Sequence, residues 1–152
     1  VATTVFLGQY EHAIDEKGRL AIPARFRAEL ADGLYLTAGV ERCLHILTPQ
    51  AWQTTAGAIA DLPWLNPDAR QVQRNLFALA THLVPDKLGR IIVPAYLRTY
   101  ADLGADVVVA GVFDRIEVWD RASWERLRAD FMARGVEQVQ GLSELMKPTG
   151  TP

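Results

Sequence analysis

The sequence predicts an α+β fold made of two pseudo-symmetric repeats, each a set of short strands with short helices around it. Two observations predict it. A 13-residue motif occurs twice in the chain, and each copy sits in the same succession of β-forming runs, glycine turns and proline-opened helices.

The motif runs from Asp15 to Arg27 and again from Asp86 to Arg98, an offset of 71 residues (86 − 15). Six of the 13 positions are identical: the Asp, Gly, first Arg, Pro, Ala and final Arg. Leu20/Ile91, Ile22/Val93 and Phe26/Leu97 exchange like for like. With a one-residue shift the correspondence continues downstream, pairing Ala38-Gly39-Val40 with Ala110-Gly111-Val112 and Trp52 with Trp124. A whole unit was therefore duplicated. The expected organisation is a first repeat over 5–65, a linking helix over 66–80, a second repeat over 81–134 and a partly disordered tail over 135–152.

Within each unit the elements follow from local chemistry. Tyr10 to Ile14 and Thr81 to Val84 are rich in β-formers and run up to an Asp, so they read as strands entering a turn. Asp15 and Asp86 can accept hydrogen bonds from backbone N–H groups just ahead of them, and Gly18 and Gly89 can take a positive φ at no steric cost. These four residues are expected to be structural. Arg19 to Ile22 and Arg90 to Val93 supply second strands, which Pro23 and Pro94 end by opening short helices to Leu30 and Ala101. Leu34 to Ala38 and Val107 to Ala110 are further strands. Turns around Gly39 and Gly111 lead back into Cys43 to Leu47 and Arg115 to Trp119. Thr48 and Asp120 read as N-caps of longer helices, the second ending near Gly135, and Asn66-Pro67 opens the linking helix with Val72 and Leu76 on its apolar stripe.

Composition narrows the function. The 152 residues are 49% hydrophobic, enough to bury a core without disulfides, and the single cysteine, Cys43, fits a reducing compartment. Cytoplasmic location is expected. No stretch is long and apolar enough to span a bilayer, and Val1 to Tyr10 lack a secretory pattern. A net charge of −2 means that any grip on nucleic acid must be local and multiplied by association of subunits. The residues that an enzyme requires, a nucleophile with its base, a metal set or a phosphate-cradling glycine loop, are not found, so no catalysis, substrate or cofactor is expected. His12, His45 and His82 stand on separate segments without metal-ligand spacing, and Cys43 reads as a small hydrophobe. Trp52 and Trp124 read as packing residues.

A strand, a D-x-x-G-R turn, a strand ending in Ile/Val-Pro and a P-A-x-φ-R helix together resemble the AbrB-like DNA-binding fold, and two copies in one chain resemble the MraZ family of transcriptional regulators. The opening Phe6-Leu7-Gly8-Gln9-Tyr10-Glu11-His12 is similar to that family's F-x-G-E-Y-x-H start, with Gln9 in place of an acidic residue. The resemblance implies a β-barrel core in which the halves interlock, and assembly of such subunits into rings. It further implies a nucleoid-associated protein that binds short repeated boxes in double-stranded DNA upstream of the division and cell-wall gene cluster, often as a repressor.

In the family pattern the Arg of each turn faces DNA, which here selects Arg19 and Arg90. A guanidinium can fork onto a phosphate or onto the O6/N7 edge of guanine. Lys17 and Lys87 flank them, and Arg27 and Arg98 match a position that contacts DNA in AbrB-like proteins. The alternative for the turn arginines is an ion pair with Asp15 and Asp86, and for Arg27 and Arg98 a salt bridge within the protein. Two other functions share the fold: an antitoxin-like interaction module, disfavoured by the short tail, and a ring-forming structural protein that leaves the arginines idle.

Overall fold

The computed structural model describes residues 4–148, in two units that divide after Arg121. The first unit contains the duplicated motif. In its first half, β1 (Phe6–Ala13) leads through a turn into β2 (Arg19–Ala21), a 3-10 turn (Ala24–Phe26), α1 (Arg27–Leu30), β3 (Leu34–Ala38), β4 (Leu44–Leu47) and α2 (Pro49–Ala60). After α3 (Pro67–Ala78) the order repeats as β5 (Thr81–Leu83), β6 (Arg90–Ile92), α4 (Ala95–Tyr100), β7 (Asp106–Phe113) and β8 (Arg115–Asp120).

The strands form an antiparallel six-stranded sheet, β1-β7-β8-β4-β3-β5, and a two-stranded ribbon, β2-β6. The sheet order is the same read from either edge if each strand is exchanged for its counterpart in the other half. Strand β1 of the first half pairs with β7 of the second, and β5 of the second pairs with β3 of the first. The halves thus exchange their first strands and interlock. At the centre β4 pairs with β8, with His45 opposite Glu117. The downstream offset of 72 (110 − 38) makes those two residues counterparts, so the pseudo-dyad passes through them.

Sheet and ribbon enclose one core of alternate inward residues: Leu20, Ile22, Ile91 and Val93 from the ribbon arms, and Leu36, Ile46, Val109, Ile116 and Val118 from the sheet. Phe26 and Leu97, from the short helices after each Pro, close its ends. Phe26 meets Phe6 and Tyr10 edge-on, with ring centroids 5.3 and 5.4 Å away.

The expected helix caps form where Pro follows the cap. Thr48 accepts from Ala51 N–H at 3.1 Å, and Asn66 accepts from Asp68 and Ala69. The linking helix α3 is held from beneath by the buried Thr37, whose hydroxyl donates to the Leu76 carbonyl at 2.8 Å.

Two expectations change. No turn forms at Gly111, which lies inside β7 opposite Gly8, and the chain reverses at Asp114 after Phe113 at φ 63°. The glycine serves close approach instead, because a Cβ there would stand 2.5 Å from Leu7 N. The helix α5 (Arg121–Gly141), which from Ala122 on belongs to the second unit, passes through Gly135 instead of ending there. The Phe131 ring covers that glycine, so its missing side chain makes room rather than a stop. A short α6 (Ser143–Met146) follows. The last residues of the expected fraying tail lie outside the described residues.

Candidate nucleic-acid interface

The two D-x-x-G-R turns have the same internal geometry. Asp15 Oδ1 accepts from the backbone N–H groups of Lys17 and Arg19, both at 2.9 Å, and Asp86 Oδ1 accepts from Leu88 and Arg90 at the same distance. Gly18 and Gly89, at φ 80° and 75°, turn the chain so that their N–H groups return to the Asp carbonyls at 2.9 Å. Each Asp therefore acts as the lock of its turn, and backbone donation, foremost from Arg19 and Arg90, holds both carboxyls below the usual carboxylate range.

The second oxygen of each Asp orients an arginine. Arg19 Nε donates to Asp15 Oδ2 at 2.6 Å and Arg90 Nε to Asp86 Oδ2 at 2.9 Å. The ion pair and the outward placement coexist, because the pair uses only Nε. Among the described residues no hydrogen bond engages the Nη fork of either arginine, and both side chains are about one-third exposed (33% and 32%).

The turns are also tied to one another. Ile22 N–H donates to Gly89 O and Val93 N–H to Gly18 O, both at 2.8 Å, while β2 and β6 pair in a register that sets Arg19 opposite Ile92 and Ala21 opposite Arg90. With Leu20 and Ile91 turned into the core, period-2 alternation puts Arg19, Ala21, Arg90 and Ile92 on the outer face of one ribbon.

Among the described residues Arg27 and Arg98 do not form the salt bridges that were the alternative to a DNA contact. Arg27 Nε donates to Ile22 O at 2.8 Å and Arg98 Nε to Val93 O at 3.1 Å, so each caps the end of its own ribbon strand. Their side chains lie against the turn of the opposite half: Arg27 against Gly89, Arg98 against Gly18. Lys17, Lys87 and Arg27 are exposed and Arg98 is half-buried. Burial, and then the nearby Arg27 charge, lowers the His12 pKa.

With the duplicated turns and their exchange in view, comparison with known proteins settles the kinship. A model of the family described as "MraZ protein, putative antitoxin-like" matches residues 5–75 and again 76–140. The chain belongs to the MraZ family. The junction between the two MraZ matches falls inside α3, the helix that links the halves. A protein called transcriptional regulator MraZ from Roseiflexus castenholzii is 41% identical over 141 residues, which span 93% of this chain and 99% of that relative. A protein of the same name from Salinispora tropica is 44% identical over 144 residues, covering 95% and 99%. Another from Herpetosiphon aurantiacus is 46% identical over 127 residues, covering 84% and 89%.

Away from the turns, the fold assembles one group that residue spacing does not reveal. Cys43 and His45 share a face two residues apart, and β8 sets Glu117 against them. His45 Nε2 lies 3.4 Å from Glu117 Oε2, and Glu117 also accepts from Arg115 Nε at 3.1 Å and Trp119 Nε1 at 3.0 Å. These bonds, the one to His45 first, pull the Glu117 carboxyl down to about 2. Only the alternation of side chains on β4 could have hinted at the pair. Trp52 packs as expected, stacked on Tyr35 with centroids 4.9 Å apart, while Trp124 is half-buried.

Proposed function

We propose that this protein is a transcriptional regulator that binds double-stranded DNA as a homo-oligomer, with Lys17, Arg19, Arg27, Lys87, Arg90 and Arg98 as its DNA-binding residues. Asp15, Gly18, Asp86 and Gly89 hold the turns that present them. The repeats over 5–65 and 81–134, joined by 66–80, each contribute one turn. The observation that carries this reading is the placement of Arg19 and Arg90 on the outer face of one two-stranded ribbon with their Nη groups unengaged among the described residues. A β-ribbon fits the major groove, roughly 12 Å wide, and a guanidinium fixed through Nε keeps its fork for a phosphate or a guanine edge.

The name shared by the relatives supports regulation, and the family resemblance supports short repeated boxes upstream of the division and cell-wall cluster as the target, with repression the usual result. It also supports ring assembly and association with the nucleoid. Exposed apolar side chains on α5, among them Phe131, Met132 and Val136, supply a surface for association. Several copies of the ribbon would overcome the net charge of −2 of each subunit.

Fluorescence-anisotropy titration of Arg19→Ala against the protein's own upstream DNA, beside size-exclusion chromatography, tests the reading. Weaker binding by a normally assembled variant is expected. Unchanged affinity in that variant refutes the assignment.

A further inference from the structure

We propose that Cys43, His45 and Glu117 form a binding site for a divalent cation of the zinc class, built across the pseudo-dyad where the two halves meet. The ligand atoms of the three residues lie within 4.8 Å of one another, in a pocket of about 290 Å³ bordered by Glu41, Asp114 and Arg115. Thiolate, imidazole and carboxylate are the donors that zinc takes, and three protein ligands with one open position is a common coordination pattern for it.

One ligand pair already has the spacing that the ion needs, and the set, within 4.8 Å, draws in around it. Zinc bonds of ordinary length place tetrahedral ligand atoms roughly 3.3–3.6 Å apart, and His45 Nε2 already stands 3.4 Å from Glu117 Oε2. Gly39 opens the space: a Cβ there would come within 2.6 Å of Cys43 Sγ and 2.9 Å of His45 Nε2. Trp119 Nε1 holds the other Glu117 oxygen, the outer-shell bond that orients a ligating carboxylate. Arg115 competes for Oε2, but it also reaches Asp114 at 3.4 Å and can transfer to it.

On binding, the Cys43 thiol proton passes to solvent and the thiolate becomes a ligand. With two ligands from the first half and one from the second, a bound ion would fasten β4 to β8.

Cobalt(II) added to the chelator-stripped full-length protein is the test, because a thiolate ligand gives cobalt an intense near-ultraviolet charge-transfer band. The band should saturate at one ion per chain, disappear on addition of zinc, and be absent from Cys43→Ala. In Glu117→Gln cobalt should bind more weakly by over the roughly 10- to 100-fold that loss of an outer-shell partner costs. Absence of the band from the wild-type protein overturns the proposal whether or not the variants fold. So does equal zinc affinity, by calorimetry, in wild type and a folded Cys43→Ala.

Discussion

Arg27 lies so close to Gly89 that a Cβ on the glycine would come within 2.5 Å of the arginine Nε, the atom that donates to Ile22 O. One half of the chain thus leaves no room for a side chain at the other half's turn. The reciprocal contact of Arg98 with Gly18 is looser, with the guanidinium carbon 3.4 Å from the ideal Cβ.

Gly89→Ala should therefore be destabilising by two routes. A left-handed backbone costs an L-residue about 1–2 kcal/mol, and displacement of Arg27 breaks a hydrogen bond worth about 1 kcal/mol. Urea unfolding of Gly89→Ala, Arg27→Ala and the double variant separates them. The Gly89→Ala penalty should be smaller by about 1 kcal/mol when Arg27 is already absent. Full additivity would mean that the contact carries no energy.

Turns and strands were legible because their causes are local. Asp15 and Asp86 bond to N–H groups within four residues, and Pro49 and Pro67 sit one residue past the caps Thr48 and Asn66. The turn expected at Gly111 was misplaced because a glycine that permits close approach of β1 reads in sequence like one that permits a bend. Pairing of β1 with β7 and of β5 with β3 is a choice between the two halves, which no local rule makes. The same holds for Glu117, 72 residues beyond His45 (117 − 45) and adjacent only through sheet register. Arg27 was legible as a cation but not as a clamp, since its carbonyl partner at Ile22 becomes available only where the ribbon strand ends.

Glu117 should govern part of the acid limb of stability. Its folded pKa, about 2, lies below the ordinary 4.5, so its ionised form stabilises the fold fully above about pH 4.5 and that contribution fades as pH falls toward 2. After discounting for solvent screening, the contribution at neutral pH is about 1–2 kcal/mol. Denaturation in the presence of chelator from pH 7 to 2 should show Glu117→Gln less stable above pH 5, with the gap closing in acid. A gap that is constant down to pH 2 contradicts the ion-pair account.

Leu88, 62% exposed, occupies the place in the second turn that Lys17 holds in the first. Its side chain is missing from the buried core, so Leu88→Lys should fold normally and give the second turn the cation it lacks. If both turns face DNA, each further phosphate contact steepens the fall of log K with log salt by about 0.9. Lys17→Leu should flatten it by a similar amount. Anisotropy titrations from low to moderate salt measure both slopes on the same DNA. A change with Lys17→Leu and none with Leu88→Lys would assign DNA contact to the first turn alone, and no change in either would remove the turns from the interface.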